Sequence, residues 1–451
     1  FFFPGKAADE NPKREKKLLK MAASFVESAQ SIGSDFTIHN LPLGVGLVDA
    51  KPKVLTRIGD EVLNLCACSE HGLLNGSVLS SEIGRKAIES TSLNALGGLG
   101  PTAWTELRQT VTRLVSAHEG VLRDDVKLRE EVLLKAKEVS MLRPMNIGDY
   151  TDFYASKEHA SNVGTMFGRD PPLNQNWINI PIGYHGRASS VVVSGTPVRR
   201  PRGLVMPKGT TEPVYSKCNV LDYELEMGFF VGQGNDLGCP ISCDDARKHI
   251  MGMVLVNDWS ARDIQKFEYV PLGPFTAKNF ATSVSPWVVT LDALEPFSEE
   301  AEEQTLAQVS SYLSHSSGRK RTSYCIDLEV SLSTSAHPEV ETVTTKSNFR
   351  HLYWTIDQML AHHTVTGCNA MTGDLIATGT ITGSREDPMS YGSLLEKSWG
   401  GTKTFKLSTG EERKYLLDGD KVTMRGRCEK DGVRIGFGVC EGTVLPCKEE
   451  Q

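Results

Sequence analysis

The sequence predicts a mainly β protein with some α-helix, built as a small mixed domain followed by a much larger β-rich one. Two textures predict it. Residues 54–139 carry a hairpin signal and then apolar residues at helical spacing, whereas from about Arg143 onward short β-branched runs alternate with Gly and Pro. The length of 451 residues leaves roughly 300 for that second part, more than most single β domains hold, so insertions and a few helices are expected within it.

Residues 1–33 read as a polar N-terminal extension, helical from Lys13 to Gln30. The opening Phe1-Phe2-Phe3-Pro4, soon followed by Lys13, Arg14, Lys16 and Lys17, makes no secretory apolar region; Met21 reads as a start and the residues before it as an upstream remnant. The first domain is assigned to 34–143. Residues 54–65 hold two short strands around Gly59-Asp60, whose glycine tolerates positive φ, and so predict a hairpin. Trp104, Leu107, Val111 and Leu114 recur at helical spacing, and residues 121–139 do so again with charges on the other face; both stripes read as core. The second domain is assigned to 144–451, with strands at 189–193, 253–256, 287–290 and 433–439. A helix is expected over 353–363, ended by Gly367. Residues 298–322, Glu-rich and then Ser-rich, offer little to bury and read as the least ordered part.

Composition narrows the function. Hydrophobic residues at 39% and charged residues at 23% are ordinary for a globular protein, and no apolar run approaches the roughly 20 residues that span a bilayer. A net charge of -7 without a long basic tract gives no footprint for nucleic acid, which leaves a small molecule as partner. The ten cysteines are scattered without the paired spacing of a zinc site, so most read as buried thiols. With no secretory signal, this favours the reducing cytoplasm.

The strongest chemical signal is Leu221-Asp222-Tyr223-Glu224-Leu225-Glu226-Met227-Gly228-Phe229. Glu224 and Glu226 leave one face of a strand-like run, shared by Asp222. Two buried carboxylates side by side repel and take up protons, so a hard cation is the simplest way to keep both ionised; the plain alternative is the solvated face of an edge strand. Asp149-Tyr150-Thr151-Asp152-Phe153-Tyr154, followed by Lys157-Glu158-His159, gathers an acid, a phenol and an imidazole. Taken alone, Asp152 reads as a turn residue, and His159 is either structural or a general base near neutral pH. The apolar run 251–256 ends in Asn257-Asp258-Trp259-Ser260-Ala261-Arg262-Asp263-Ile264-Gln265. Arg262 and Gln265, three apart on a helical turn, project together, and Asp258 either serves the same site or caps that helix. Residues 269–278 form a stiff Pro/Gly loop that delivers Tyr269 and Lys278, as a pocket wall or as plain surface. Gly379-Thr380-Ile381-Thr382-Gly383 lacks the lysine of a phosphate loop. His362-His363 sit near a helix C-terminus, where the dipole favours imidazolium, and read as structural. Asp418-Gly419-Asp420 reads as a turn between strands and not as a calcium loop.

Together these stretches resemble the fumarylacetoacetase family. The resemblance runs from Asp35-Phe36-Thr37-Ile38-His39-Asn40-Leu41-Pro42 to Gly436-Phe437-Gly438, and is most specific in Gly183-Tyr184-His185-Gly186-Arg187-Ala188-Ser189-Ser190, in 257–263 and in 269–275. It implies a small N-terminal SH3-like barrel domain and a large C-terminal β-roll domain that pairs with a second copy as a homodimer, each subunit holding Mg²⁺ or Ca²⁺. The implied activity is hydrolysis of a carbon–carbon bond in 4-fumarylacetoacetate to fumarate and acetoacetate, the last step of tyrosine and phenylalanine degradation. Carried over residue by residue, Asp152, Glu224, Glu226 and Asp258 are the metal carboxylates, with Lys278 and Thr282 beside them; Asp222 is not a ligand. His159 matches the general base and Glu396 its carboxylate partner. Arg262, Gln265 and Lys278 would face the developing oxyanion, and Tyr154, Tyr184, Gln265, Tyr269 and Thr380 the substrate. One departure stands out: the family's Phe-Arg reads Met166-Phe167-Gly168-Arg169 here, which displaces the substrate-facing arginine by one position, so that either Arg169 reaches the substrate carboxylate through a shifted loop or the contact is lost. Ala281 also stands where the family commonly has Gly. An acylpyruvate hydrolase or oxaloacetate decarboxylase would share the carboxylates, but such relatives generally lack residues 35–140. An inert scaffold of this fold would have no need of every one of these positions.

Overall fold

In the structure, a computed structural model that describes residues 23–449, packing begins at Ser24. Its hydroxyl donates to the Val115 carbonyl at 2.8 Å, and Val26 and Ala29 are buried behind it. Packed structure is therefore already present within 24–33, which reads from the sequence as a polar extension. Of the helix expected over 13–30, residues 13–22, with the proposed start at Met21, lie outside the described residues, and Glu27–Gln30 is a 3-10 turn.

The expected hairpin pairs Lys51–Ile58 with Glu61–Asn64 across Gly59, whose φ of +55° is the left-handed conformation that glycine tolerates. It belongs to a five-stranded antiparallel sheet in the order Leu133–Lys135, Glu61–Asn64, Lys51–Ile58, Leu43–Val48, Ser140–Met141. Helix Pro101–Leu114 opens on a proline, where the missing N–H costs nothing, and buries Trp104, Leu107, Val111 and Leu114. The second stripe is corrected. Asp125 accepts the Leu128 N–H and starts a new helix, so residues 121–139 break into Gly120–Arg123, Val126–Val132 and the strand Leu133–Lys135. Val121 and Val126 are left exposed, because the pattern that reads as one helix face is split by the cap.

The larger part carries an eight-stranded sheet. Its strands run in the order Gly183–Gly186, Tyr150–Phe153, Leu375–Ala377, Leu225–Val231, Ile250–Asp258, Thr282–Val284, Val191–Val193, with Val289–Thr290 also paired to Ile250–Asp258. Side chains alternate across it. Phe153, Leu225, Met227, Phe229, Met253 and Leu255 enter one apolar core, while Tyr150, Phe230, Val254, Val256, Leu375 and Ala377 face a second. That second core also holds Trp104, Leu107, Val45 and Val54, so the N-terminal part roofs one face of the central sheet. A five-stranded sheet, ordered His337–Asn348, Asp327–Thr334, Lys421–Lys430, Val433–Leu445, Val198–Arg199, completes the β-rich part.

Three further expectations change. The helix expected over 353–363 is Ile356–Thr364, because Thr355 and Gln358 form a capping box that fixes its start and leaves Tyr353 and Trp354 as buried lead-in. Residues 298–322 run from the strand Ser298–Glu300 to its antiparallel partner Thr322–Tyr324 and are anchored between them: Leu313 is fully buried, and the Gln304 amide donates to the Tyr353 carbonyl at 2.7 Å. Leu313→Ala is accordingly expected to cost about 2–5 kcal/mol in chemical denaturation; a cost indistinguishable from zero would return the segment to a loose loop. Burial, ahead of any dipole effect, lowers the pKa of His362 and His363, which hydrogen-bond Tyr312 and Thr151, each at 2.9 Å.

All ten cysteines are free thiols, and Cys66, Cys68, Cys218, Cys243, Cys428 and Cys440 are buried. No helix among the described residues is long and apolar enough to cross a membrane.

Candidate metal centre and active site

Strand pairing assembles three carboxylates at one end of the eight-stranded sheet. Asp152 sits opposite Tyr184 and Ala377, Glu226 opposite Val256, and Asp258 opposite Thr282. Alternation puts all three on the roofed face, in line with Tyr150, Phe230 and Val256. One oxygen of each lies within 4.8 Å of the others, and all three residues are buried. Both Glu226 oxygens and Asp152 Oδ1 lack a hydrogen-bond partner. Burial, reinforced by mutual repulsion, pushes the pKa of Asp152 and Glu226 well above the ordinary carboxylate range. Asp258 is raised too, chiefly by burial, against the pull of the Lys278 ammonium and the Tyr184 hydroxyl, which donates to it at 3.0 Å. The solvated-edge alternative fails, since Leu225–Val231 is paired on both sides and buried throughout. Three clustered buried carboxylates, with orphaned oxygens on Asp152 and Glu226, form a donor set that fits a hard divalent cation.

Glu224 lies outside this trio. Arg262 Nη2 donates to its Oε1 at 2.8 Å, and the Ser260 hydroxyl to its Oε2 at 3.1 Å. Lys278 Nζ bonds both Glu224 Oε2 and Asp258 Oδ2, and so ties Glu224 to the trio. Burial alone would raise the Glu224 pKa, but Arg262, Lys278 and His159 hold it well below the usual range. Arg262 also donates to Asp222 Oδ2 at 2.9 Å and to Gln265 Oε1 at 3.1 Å. Asp222 accepts the backbone N–H of Leu394 and Leu395 at 2.7 and 2.9 Å, so its oxygens are spent on bracing Arg262 and the helix Leu394–Lys397. Thr282 Oγ1 is 3.5 Å from Asp258 Oδ1. The capping alternative for Asp258 fails, because helix Arg262–Glu268 has no side-chain cap.

The imidazole comes from helix Lys157–Met166, which Ser156 caps by accepting the His159 N–H at 3.3 Å. His159 Nδ1 is 2.7 Å from Glu396 Oε2. Glu396, fully buried, also accepts from Asn162 at 2.9 Å and from Thr382 and Ser393 at 3.0 Å. Burial would raise its pKa, but His159 and these donors more than offset that and keep it low. An ionised Glu396 can only accept, so the imidazole proton belongs on Nδ1 and Nε2 is left as a base, 4.0 Å from Glu224 Oε1. The Tyr154 ring meets His159 edge-on at 5.3 Å.

A cavity of about 910 Å³ opens over these groups. Its lining includes Asp152, Glu224, Glu226, His159, Arg262 and Lys278, together with Tyr154, Arg169, Tyr184, Gln265, Tyr269 and Thr380; Asp258, Thr282 and Glu396 stand behind the wall. Phe167 stacks on Tyr269 at 6.3 Å. Sequence reasoning missed Asn162 and Ser393, although both carry a local signal: Asn162 follows His159 by three on a helix, and Ser393-Leu394-Leu395-Glu396 has capping spacing. Met206, Lys414 and Tyr415, also in the lining, carry none.

Comparison with known proteins gives two family matches: residues 39–144 match "Fumarylacetoacetase N-terminal" and residues 149–445 match "Fumarylacetoacetate (FAA) hydrolase C-terminal". The fumarylacetoacetase of Bos taurus is 49% identical over 426 residues, covering 94% of this chain and 99% of the relative. That of Arabidopsis thaliana is 48% identical over 428 residues, with the same coverage. A solved fumarylacetoacetate hydrolase from psychrophilic Exiguobacterium antarcticum is a distant structural likeness: TM-score 0.49 at 15% identity, over 90% of this chain and 99% of that one.

Proposed function

The chain belongs to the fumarylacetoacetase family, and from that premise we propose that this cavity is where it hydrolyses 4-fumarylacetoacetate to fumarate and acetoacetate, beside a divalent cation held by Asp152, Glu226 and Asp258. The enzyme is a hydrolase acting on a carbon–carbon bond. The observation that carries the site reading is the meeting, at one cavity, of three clustered buried carboxylates, two of them with orphaned oxygens, and an imidazole whose proton Glu396 fixes. Oxygen donors suit Mg²⁺ or Ca²⁺, which when bound would polarise the diketo oxygens and stabilise an enolate leaving group.

The chain's own residues supply the rest. His159 Nε2 accepts a proton from water as it attacks the carbonyl, and Glu396 stabilises the imidazolium that results. The carbon–carbon bond then breaks, and its electron pair leaves as the enolate of acetoacetate, which takes up a proton. Lys278, Arg262 and Gln265 face the developing oxyanion, with Glu224 and Thr282 beside the cation. Arg169 meets a substrate carboxylate from the cavity rim, and Tyr154, Tyr184, Tyr269 and Thr380 contact the rest. A homodimer, a cytoplasmic location, and domains at 34–143 and 144–451 complete the reading. The free thiols, and the exposed Val270, Leu272 and Phe275 beside the cavity mouth, support the location and the pairing respectively.

Adding 4-fumarylacetoacetate with Mg²⁺ or Ca²⁺ is expected to give loss of diketone absorbance; faster turnover of acylpyruvates would transfer the chain to the smaller-substrate activity. Lys278→Ala is expected to lower kcat by about 10²-fold with KM little changed, as for loss of a preorganised donor. Unchanged kcat would strike Lys278 from the reacting groups.

A further inference from the structure

One exposed side chain reaches the buried His159–Glu396 pair through a single amide. Asn162, almost fully buried, projects from the same side of helix Lys157–Met166 as His159. Its Nδ2 donates to Glu396 Oε1 at 2.9 Å, while its Oδ1 accepts Nε of Arg385 at 3.0 Å. The other Glu396 oxygen, Oε2, is the one 2.7 Å from His159 Nδ1. Both ends dictate how the amide is turned: a guanidinium only donates and a carboxylate only accepts, so the carbonyl must face Arg385 and the NH₂ must face Glu396.

Remove Arg385 and the Asn162 oxygen loses its donor, so that only the Glu396 end still fixes how the amide is turned. Arg385 is itself anchored. The Tyr391 hydroxyl donates to its carbonyl at 2.8 Å, its Nη2 donates to Thr165 Oγ1 at 3.4 Å, and Glu158 Oε2 lies 3.9 Å from its Nε. Its side chain is 42% exposed and takes no part in lining the cavity, so it stands outside the proposed catalytic site.

We propose that Arg385 is a positioning residue: by gripping the carbonyl of Asn162 it aims the amide NH₂ at Glu396 and, through that carboxylate, holds the His159 imidazole in its working orientation. The inference rests on the proposed function only for the task it gives His159. The chain of bonds is a property of the folded protein and can be read without substrate.

The test compares Arg385→Ala, Asn162→Ala, the double variant and Arg385→Lys in the full chain saturated with Mg²⁺. Arg385→Ala is expected to lower kcat about tenfold with KM unchanged, the scale of one lost bond to a charged group. Asn162→Ala is expected to lower it further, the double variant no further than Asn162→Ala alone, and Arg385→Lys to recover part of the loss. The substrate-free readout is the ¹⁵N spectrum of histidine-labelled protein, with the His159 signal identified by its disappearance in His159→Gln. That signal is expected to move in Arg385→Ala and to return toward wild type in Arg385→Lys. Additive losses of kcat in the double variant, or an unmoved His159 signal in Arg385→Ala, would overturn the proposal. If the wild type fails to turn over 4-fumarylacetoacetate, the functional reading falls and the histidine spectrum still decides the role of Arg385.

Discussion

Glu226→Gln is expected to reduce turnover by several powers of ten and to abolish the stabilisation that Mg²⁺ or Ca²⁺ confers on the wild-type protein. Neither Glu226 oxygen has a partner within the fold, so the side chain gains nothing from its buried place except what a cation supplies. Lewis-acid stabilisation of the leaving enolate is worth several kcal/mol, which sets the scale of the kinetic loss. In the wild type, an ion present at about 100 times its dissociation constant adds about 2.7 kcal/mol to the folded state, visible as an upward shift in thermal midpoint. The variant should show no such shift, yet without the ion, at pH above the raised Glu226 pKa, it should melt above the ion-free wild type, because one of the mutually repelling charges is gone.

The pH dependence has a definite sign. In ion-free protein the folded-state pKa values of Asp152 and Glu226 lie above their unfolded values, so the stability they contribute is fully present below the ordinary carboxylate range. It is lost as pH rises through the raised values. Added divalent ion should reverse that loss at pH above the raised values. Calorimetric melting with and without the ion checks both statements, and a wild-type midpoint indifferent to Mg²⁺ and Ca²⁺ alike would sink the metal centre.

The second large effect concerns the base. His159→Ala is expected to lower kcat by about 10²–10⁴ while KM changes little, the usual span for a positioned proton acceptor. Glu396→Gln probes the same step from behind. Its amide cannot accept as a carboxylate does and can present an N–H to the ring, which favours the imidazole tautomer with its proton on Nε2, where it is useless as a base. The loss is expected to approach that of His159→Ala, and the two together should cost little more than either alone. Steady-state kinetics with bound metal confirmed in each variant is the measurement; a fully active Glu396→Gln would show that the carboxylate does not set the ring.

What could be read from the sequence followed how local each cause was. The Glu224/Glu226 repeat gave away a buried acidic face because strand alternation needs no partner to be legible. It did not reveal that the two carboxylates part company: Glu224 precedes the paired strand, meets Ser393 in an isolated bridge, and is drawn off by Arg262 and Lys278. Periodicity misjudged residues 121–139 because one capping aspartate outweighs an apolar stripe. Composition misjudged residues 298–322 because a few contacts, Leu313 in the core and Gln304 on the Tyr353 carbonyl among them, anchor them. The resemblance supplied His159 with Glu396, 237 positions apart, a pairing beyond any local pattern. Lys414 and Tyr415 reach the cavity wall from still further along the chain, with nothing nearby to announce them.

The roofed sheet face bears on how such a protein can be dissected. The family matches divide the polypeptide near residue 145 as though it were two modules. Phe230, Val254, Val256 and Leu375, however, share one apolar core with Trp104 and Leu107, on the side of the sheet that also presents the acidic trio. Cutting at the seam would wet that side, and water is what those carboxylates must be denied if they are to grip an ion tightly. Residues 39–144 are thus no detachable prefix but the insulation of a site whose cavity they do not line.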